Sequence, residues 1–181
     1  MIKEKKKRYT YKDYEELPEG APYQLINGML VKSPSPTPYH QGLAGKLHLL
    51  FAELEKRAKG KAFFSPIDVY LSENETYQPD LIFISSEHLD IIGEKKIEGP
   101  PDIVVEILSP SNAYYDLRHK MHMYQHFGVR EYWIVDPLEK SVEIYNNGET
   151  GFTLESKVVA SGTIVSKLFP ELEVKIEDLF A

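Results

Sequence analysis

The chain reads as an α+β domain, a mostly antiparallel sheet with one long helix on a face. Three observations lead there. From His40 to Lys59, the residues Leu43, Leu47, Leu50, Phe51, Leu54 and Ala58 recur at helical spacing on one face. Short apolar runs at 79–84 and 102–108 have the length of strands, and Pro79 and Pro101 stand at their starts. Asn27-Gly28, between Tyr23–Ile26 and Met29–Lys32, is the strongest short hairpin signal.

The remaining elements follow in order. Thr10–Leu17 reads as a short capped helix stopped by Pro18 and Gly20. Residues 33–38, Ser-Pro-Ser-Pro-Thr-Pro, form a loop, because prolines at alternate positions forbid regular pairing. The long helix ends at Gly60, and strands are expected within 62–71. Ser86–Glu98 is charged and holds a short helix. Asp116–Phe127 is a second helix, with Leu117, Met121, Tyr124 and Phe127 inward and Gly128 as its stop. Glu131–Asp136 and Ser141–Tyr145 pair as a hairpin around Pro137, with further strands at 152–159 and 163–165. The tail from Phe169 to Ile176 alternates apolar and charged residues, the pattern of an edge strand.

At 181 residues, the chain has room for one domain with a real core and not for two. Residues 1–8 read as a flexible basic tail and 9–181 as the domain. There is no cysteine, so disulfides, thiolate metal ligands and cysteine nucleophiles are excluded. The first residues lack the apolar core of a secretory signal and no run is long enough to span a membrane, so a cytoplasmic protein is expected. The formal net charge of −7 counts against tight, sequence-independent binding of nucleic acid, which needs a basic face. Positive charge is local, at Lys3–Arg8, Lys56–Lys61 and Arg118–Lys120.

Two carboxylates are hard to explain as surface residues. Asp80, in Gln-Pro-Asp-Leu-Ile-Phe-Ile, and Glu106, in Pro-Asp-Ile-Val-Val-Glu-Ile-Leu, each lie in a run that reads as a buried strand. Leaving even a merely polar group unpaired there costs roughly 2–7 kcal/mol. Glu106 shares a strand face with Asp102, Val104 and Leu108, since side chains alternate. If the two strands are neighbours, both acids present oxygens near one end to a hard cation such as Mg²⁺ or Mn²⁺. The plainer readings stay open: Glu106 paired with a basic residue at a sheet edge, and Asp80 as a turn acid after Pro79. Asp102, after Pro100-Pro101, reads as a turn or cap acid.

Beyond Glu106's strand, Asp116 and Lys120 stand four apart, the spacing of an ordinary helical ion pair. Alternatively, Lys120 reaches the two acids and orients water or offsets charge there. Arg118 points elsewhere on the helical wheel, and His119 and His122 flank the apolar stripe as surface or packing residues. Tyr114, Tyr115, Tyr124, Tyr132 and Trp133 either stack on an unpaired base or pack the core, with packing favoured for Tyr124 and Trp133.

The order of these motifs resembles the Uma family of restriction endonucleases, a branch of the PD-(D/E)XK superfamily. The resemblance rests on Pro79-Asp80, Glu106-Ile107-Leu108-Ser109-Pro110-Ser111, Asp116, Lys120, Tyr124, Gly128–Trp133 and Asp136-Pro137. Tyr23–Gly28 and the helix from His40 match as well, so it runs from about residue 9 to the end of the chain. It implies an α/β restriction-endonuclease-like core, a central mixed sheet flanked by helices, with a metal-dependent phosphodiesterase site. On that resemblance Asp80 and Glu106 are metal-binding and catalytic, and the usual lysine two residues after the glutamate is Leu108. Lys120 would be its replacement from the next helix. Gln24 stands where similar sequences carry an acid, and Gln24, His40 and Asp116 are possible accessory residues.

The resemblance therefore implies an endonuclease acting on nucleic acid, most simply DNA, with Mg²⁺ (or Mn²⁺), and a homodimer by analogy with the superfamily. The competing reading is a catalytically silent nuclease-like binding or regulatory module, which the net charge, Leu108 and Gln24 favour. A glycosidase built on two carboxylates fits poorly, because the aromatic-rich loops of a sugar cleft are missing.

Overall fold

The computed structural model describes residues 7–109 and 116–181, the side chains of residues 116 and 117 excepted. Helix α1 (Tyr11–Glu15) is capped by Asp13, whose Oδ2 accepts from the Thr10 amide at 2.8 Å and the Thr10 hydroxyl at 3.0 Å. Strands β1 (Tyr23–Ile26) and β2 (Met29–Lys32) form the expected hairpin. Asn27 and Gly28 take φ of 49° and 68°, the left-handed pair that a type I′ turn requires. Helix α2 (Pro38–Lys56) starts two residues before the expected His40. Thr37 is its N-cap, with Oγ1 accepting from the His40 amide at 3.2 Å, and Pro38 occupies the first turn, where a missing N–H costs nothing.

Gly60 does not stop this helix. The helix ends at Lys56, Ala58 takes the left-handed turn with φ of 55°, and Gly60 opens β3 (Gly60–Phe64). A Cβ at Gly60 would lie 2.0 Å from the Ile84 carbonyl oxygen of the neighbouring strand, so the position needs glycine for close approach. The strands expected within 62–71, Ala62–Phe64 and then Ile67–Leu71, are β3 and β4 (Val69–Ser72), and they belong to different sheets.

Next come β5 (Glu75–Tyr77), β6 (Leu81–Ser85), β7 (Ile97–Glu98) and β8 (Ile103–Ile107). The short helix expected in 86–98 is a single 3₁₀ turn, Leu89–Ile91. The second helix begins as a wide π turn, Asp116–Lys120, and continues as α3 (Met121–Phe127). Strands β9 (Glu131–Asp136), β10 (Ser141–Gly148) and β11 (Gly151–Val159) form a meander. At the end, β12 (Thr163–Val165) pairs with β13 (Glu173–Lys175), and α4 (Ile176–Leu179) follows. The paired part of the tail is thus shorter than the expected 169–176.

The main sheet has the order β11-β10-β9-β8-β6-β3, antiparallel except for the parallel pair β8–β9. A five-stranded sheet, β2-β1-β5-β4-β7, lies separately. One face of the main sheet, with Leu81, Phe83, Val105 and Trp133, packs against Leu43, Leu47, Phe51 and Leu54 of α2. The other face, with Ile82, Ile84, Val104 and Ile134, packs against Tyr124 of α3 and against Ile26, Val69 and Tyr77 of the second sheet. Complete burial of each such side chain is worth about 1.5–3 kcal/mol, so β6 and β8 are clamped from both sides. This is the expected mixed sheet flanked by helices, and it makes Glu106's strand central rather than an edge. Among the described residues no helix is long and apolar enough to cross a membrane.

Candidate active site

Strands β6 and β8 are antiparallel neighbours with Leu81 opposite Val105, so one step further Asp80 comes opposite Glu106. Alternation puts both on the face that carries Ile82 and Val104. At Asp80 a side chain takes over from the backbone ladder: Oδ2 accepts from the Ile107 amide at 2.7 Å. No other hydrogen bond reaches the Asp80 carboxylate among the described residues, apart from the approach of His40. The His40 Nε2 lies 3.4 Å from the same Oδ2 and 3.2 Å from the Ile107 carbonyl oxygen. Both neighbours are acceptors, so Nε2 carries a proton. The bond to Asp80 raises the His40 pKa above its ordinary value, against the opposing effect of burial.

Glu106 is gripped from α3's side. Its Oε1 accepts from Lys120 Nζ at 2.8 Å and from the Tyr124 hydroxyl at 2.8 Å. Lys120 and Tyr124 are four apart, so consecutive turns deliver both donors to one oxygen. The Lys120 and Glu106 side chains are each 4% exposed, an ion pair inside the protein rather than on a sheet edge. Burial, reinforced by the Glu106 charge, pushes the Tyr124 hydroxyl well above its usual pKa, so it remains a donor. Lys120 Nζ also lies 6.0 Å from the Tyr77 ring centroid, and Tyr77 meets Tyr124 edge-on at 5.5 Å.

Asp80, Glu106, Lys120, His40 and Gln24 all line one cavity of about 440 Å³. Gln24 is a brace there: its Nε2 donates to Ser33 Oγ at 2.8 Å and its Oε1 accepts from the Gln78 amide at 3.0 Å. It thereby ties the proline loop to the segment that carries Asp80. The Asp116 side chain and Tyr114 and Tyr115 lie outside the described residues. Arg118 and His122 are exposed, and His119 Nε2 lies 3.6 Å from Glu75 Oε1. Tyr124, Tyr132 and Trp133 are fully buried, so none of them is open to stack on a base.

Sequence reasoning passed over Tyr39, Phe64, Gln78, Asp136 and Leu138, which also line the cavity. In sequence Asp136 is simply the acid before Pro137 at the end of a strand. Its Oδ1 accepts from the Leu138 and Glu139 amides at 2.8 and 3.1 Å, so it caps the β9–β10 turn. Asp102 is at the other end of β8 and binds the Ser85 amide (2.7 Å), His88 Nδ1 (2.9 Å) and Arg130 Nη1 (3.0 Å). It is an anchor and lies outside the cavity.

The oxygen chemistry of this pair suits a hard divalent cation. Mg²⁺ is commonly bound by one or two carboxylates together with water and substrate phosphate, and two carboxylates facing one cavity fit that pattern. Among the described residues no group of three or more His, Asp or Glu side chains is arranged around one metal position.

Comparison with known proteins agrees with this architecture. The profile of the Uma2 family, described as "Putative restriction endonuclease", matches residues 11–177. The chain belongs to the Uma2 family. A crystal structure described as "a putative nuclease belonging to DUF820", from Anabaena variabilis ATCC 29413, is similar with a TM-score of 0.77 and 20% sequence identity. The similarity covers 94% of this chain and 97% of that one, which shows a shared fold. No curated protein matches the chain.

Proposed function

We propose that this Uma2 protein is an endonuclease that hydrolyses DNA phosphodiester bonds with Mg²⁺, or Mn²⁺ in its place, held by Asp80 and Glu106. The observation that carries the reading is the Lys120–Glu106 bond of 2.8 Å beside Asp80 in one cavity. It brings an ammonium to Glu106 from the following helix, although Leu108 stands at the usual lysine position two residues after the glutamate. When bound, the ion would polarise a phosphate oxygen and lower the pKa of a bound water.

The chain's own residues prepare the site. The Ile107 amide and His40 Nε2 hold Asp80 Oδ2 in place, and Lys120 and Tyr124 hold Glu106 Oε1. Lys120 orients the attacking water or offsets negative charge that builds on the phosphate. Water attacks phosphorus in line and the bond to the 3′ oxygen breaks, leaving a 3′-hydroxyl and a 5′-phosphate.

Incubation of supercoiled, linear and single-stranded DNA with Mg²⁺ or Mn²⁺ tests this. The parent is expected to cut at least one form, and EDTA, Asp80→Asn and Glu106→Gln to abolish cutting. If every form stays intact under all conditions, the silent nuclease-like module becomes the better reading.

A further inference from the structure

The cavity has a rim that the proposed hydrolysis leaves unused. Among the described residues eight large apolar side chains stay exposed, and three of them line this one cavity: Tyr39 (48% exposed), Phe64 (55%) and Leu138 (83%). They come from the first turn of α2, the last residue of β3 and the β9–β10 turn. Phe64 is also held, with its ring packed edge-on against His48 at a centroid distance of 4.6 Å. Single exposed apolar residues need no explanation, but a group of them around a pocket marks a binding surface.

The charge of the same wall narrows what binds. The described lining contains no arginine and one lysine, Lys120, which already meets Glu106. Residues 110–117, Pro-Ser-Asn-Ala-Tyr-Tyr-Asp-Leu, contain neither lysine nor arginine, and the basic run Lys3–Arg8 is at the N-terminal end of the sequence. A duplex is held through its phosphates by rows of basic side chains, and a chain of net charge −7 with this lining is poorly equipped for that. Single-stranded nucleic acid offers a second source of affinity, because each base has a face that stacks on an aromatic ring. The cavity, about 440 Å³, lies in the size range of sites that enclose a small ligand, which suits one nucleotide better than a helix.

We infer that the substrate enters this site as an unpaired nucleotide segment, with bases stacked on Tyr39 and Phe64 while the backbone phosphate reaches Asp80 and Glu106. The inference rests on the nuclease reading and names its substrate class. Leu138, on the β9–β10 turn, supplies a further apolar contact, and Lys120 remains the local positive charge. Such binding depends on salt less steeply than a duplex interface built on many phosphate contacts.

Fluorescence anisotropy of a labelled single-stranded DNA, its RNA counterpart and the matching DNA duplex tests this with the intact protein. Ca²⁺, which takes oxygen ligands, replaces Mg²⁺ in these titrations. At least one single strand is expected to bind tenfold or more tightly than the duplex, and the tighter strand identifies the sugar. Tyr39→Ala and Phe64→Ala are each expected to weaken it by about tenfold, while Tyr39→Phe and Phe64→Tyr retain it. Duplex binding as tight as that of both single strands, alanine variants that bind like the parent, or no binding of any of the three would overturn the inference. A parent that binds the single strand yet cuts nothing in Mg²⁺ supports the docking and removes the catalytic reading.

Discussion

Lys120 Nζ lies 2.8 Å from Glu106 Oε1, although the two residues are fourteen apart and sit on a helical turn and a central strand. Both side chains are almost sealed from solvent, so each charge is stabilised in part by the other. A lone buried charge is far more costly than a matched pair, whereas replacing both members by neutral groups is often tolerated.

Lys120→Met should therefore destabilise the protein by about 3–5 kcal/mol, since it removes the Lys120 ammonium from the buried Glu106 carboxylate. Adding Glu106→Gln to Lys120→Met should recover much of that loss in urea unfolding. Cleavage should stay absent in both variants, because the pair is proposed to serve catalysis and not folding alone. Recovery of stability without activity separates the two roles.

Tyr124→Phe removes one donor to Glu106 Oε1 and keeps the ring that packs on Tyr77 and Tyr132. A hydrogen bond to a charged group contributes about 1.5–3 kcal/mol, so urea unfolding should show a loss of that order. A Tyr124→Phe protein as stable as the parent would mean that the Tyr124 hydroxyl contributes nothing to holding Glu106.

Asp102 should make stability fall in acid. Burial pushes its pKa up, but the Ser85 amide and the Arg130 guanidinium outweigh that and hold it below the usual carboxylate value of 3.8. A depressed folded pKa stabilises the protein above the unfolded pKa, and that contribution is lost as pH falls through the folded value. Asp102→Asn should cost about 1–3 kcal/mol at pH 7. The gap to the parent, read from unfolding at pH 7, 5 and 3, should narrow only below the unfolded value.

Glu131 is fully buried and anchors the C-terminal segment. It accepts from Trp133 Nε1, Ser166 Oγ and the Lys167 amide, each at 2.8 Å, and from the Leu168 amide at 3.3 Å. Glu131→Gln turns one of those acceptors into a donor facing donors. Hydrogen exchange at the amides of 166–168 should accelerate by at least tenfold, with smaller changes in β6 and β8.

Local pattern was enough for much of this. Helical spacing locates α2, Asn27-Gly28 locates the first hairpin, and apolar runs locate β6 and β8, with Asp80 directly before the first and Glu106 within the second. Readings failed where the reason was non-local. Gly60 looks like a helix stop, but its need arises from Ile84 on another strand. The run of prolines hid Thr37-Pro38 as a helix start, because a proline in the first helical turn and a proline in a loop look alike in sequence. Glu131 resembles any strand glutamate until the 166–168 segment folds onto it. The gathering of Tyr39, Phe64 and Leu138 depends on three elements meeting at one cavity, which no periodicity reveals.

The central claim is that Asp80 and Glu106 together hold a divalent cation beside Lys120. A crystal structure determined in Mn²⁺, read by anomalous scattering, tests it most directly. The account predicts one or more Mn²⁺ ions ligated by carboxylate oxygens of both Asp80 and Glu106, with Lys120 Nζ still in the same cavity, and no such peak in Asp80→Asn. Full Mn²⁺ exposure with no anomalous peak in this cavity, or a peak that persists unchanged in Asp80→Asn, would contradict it.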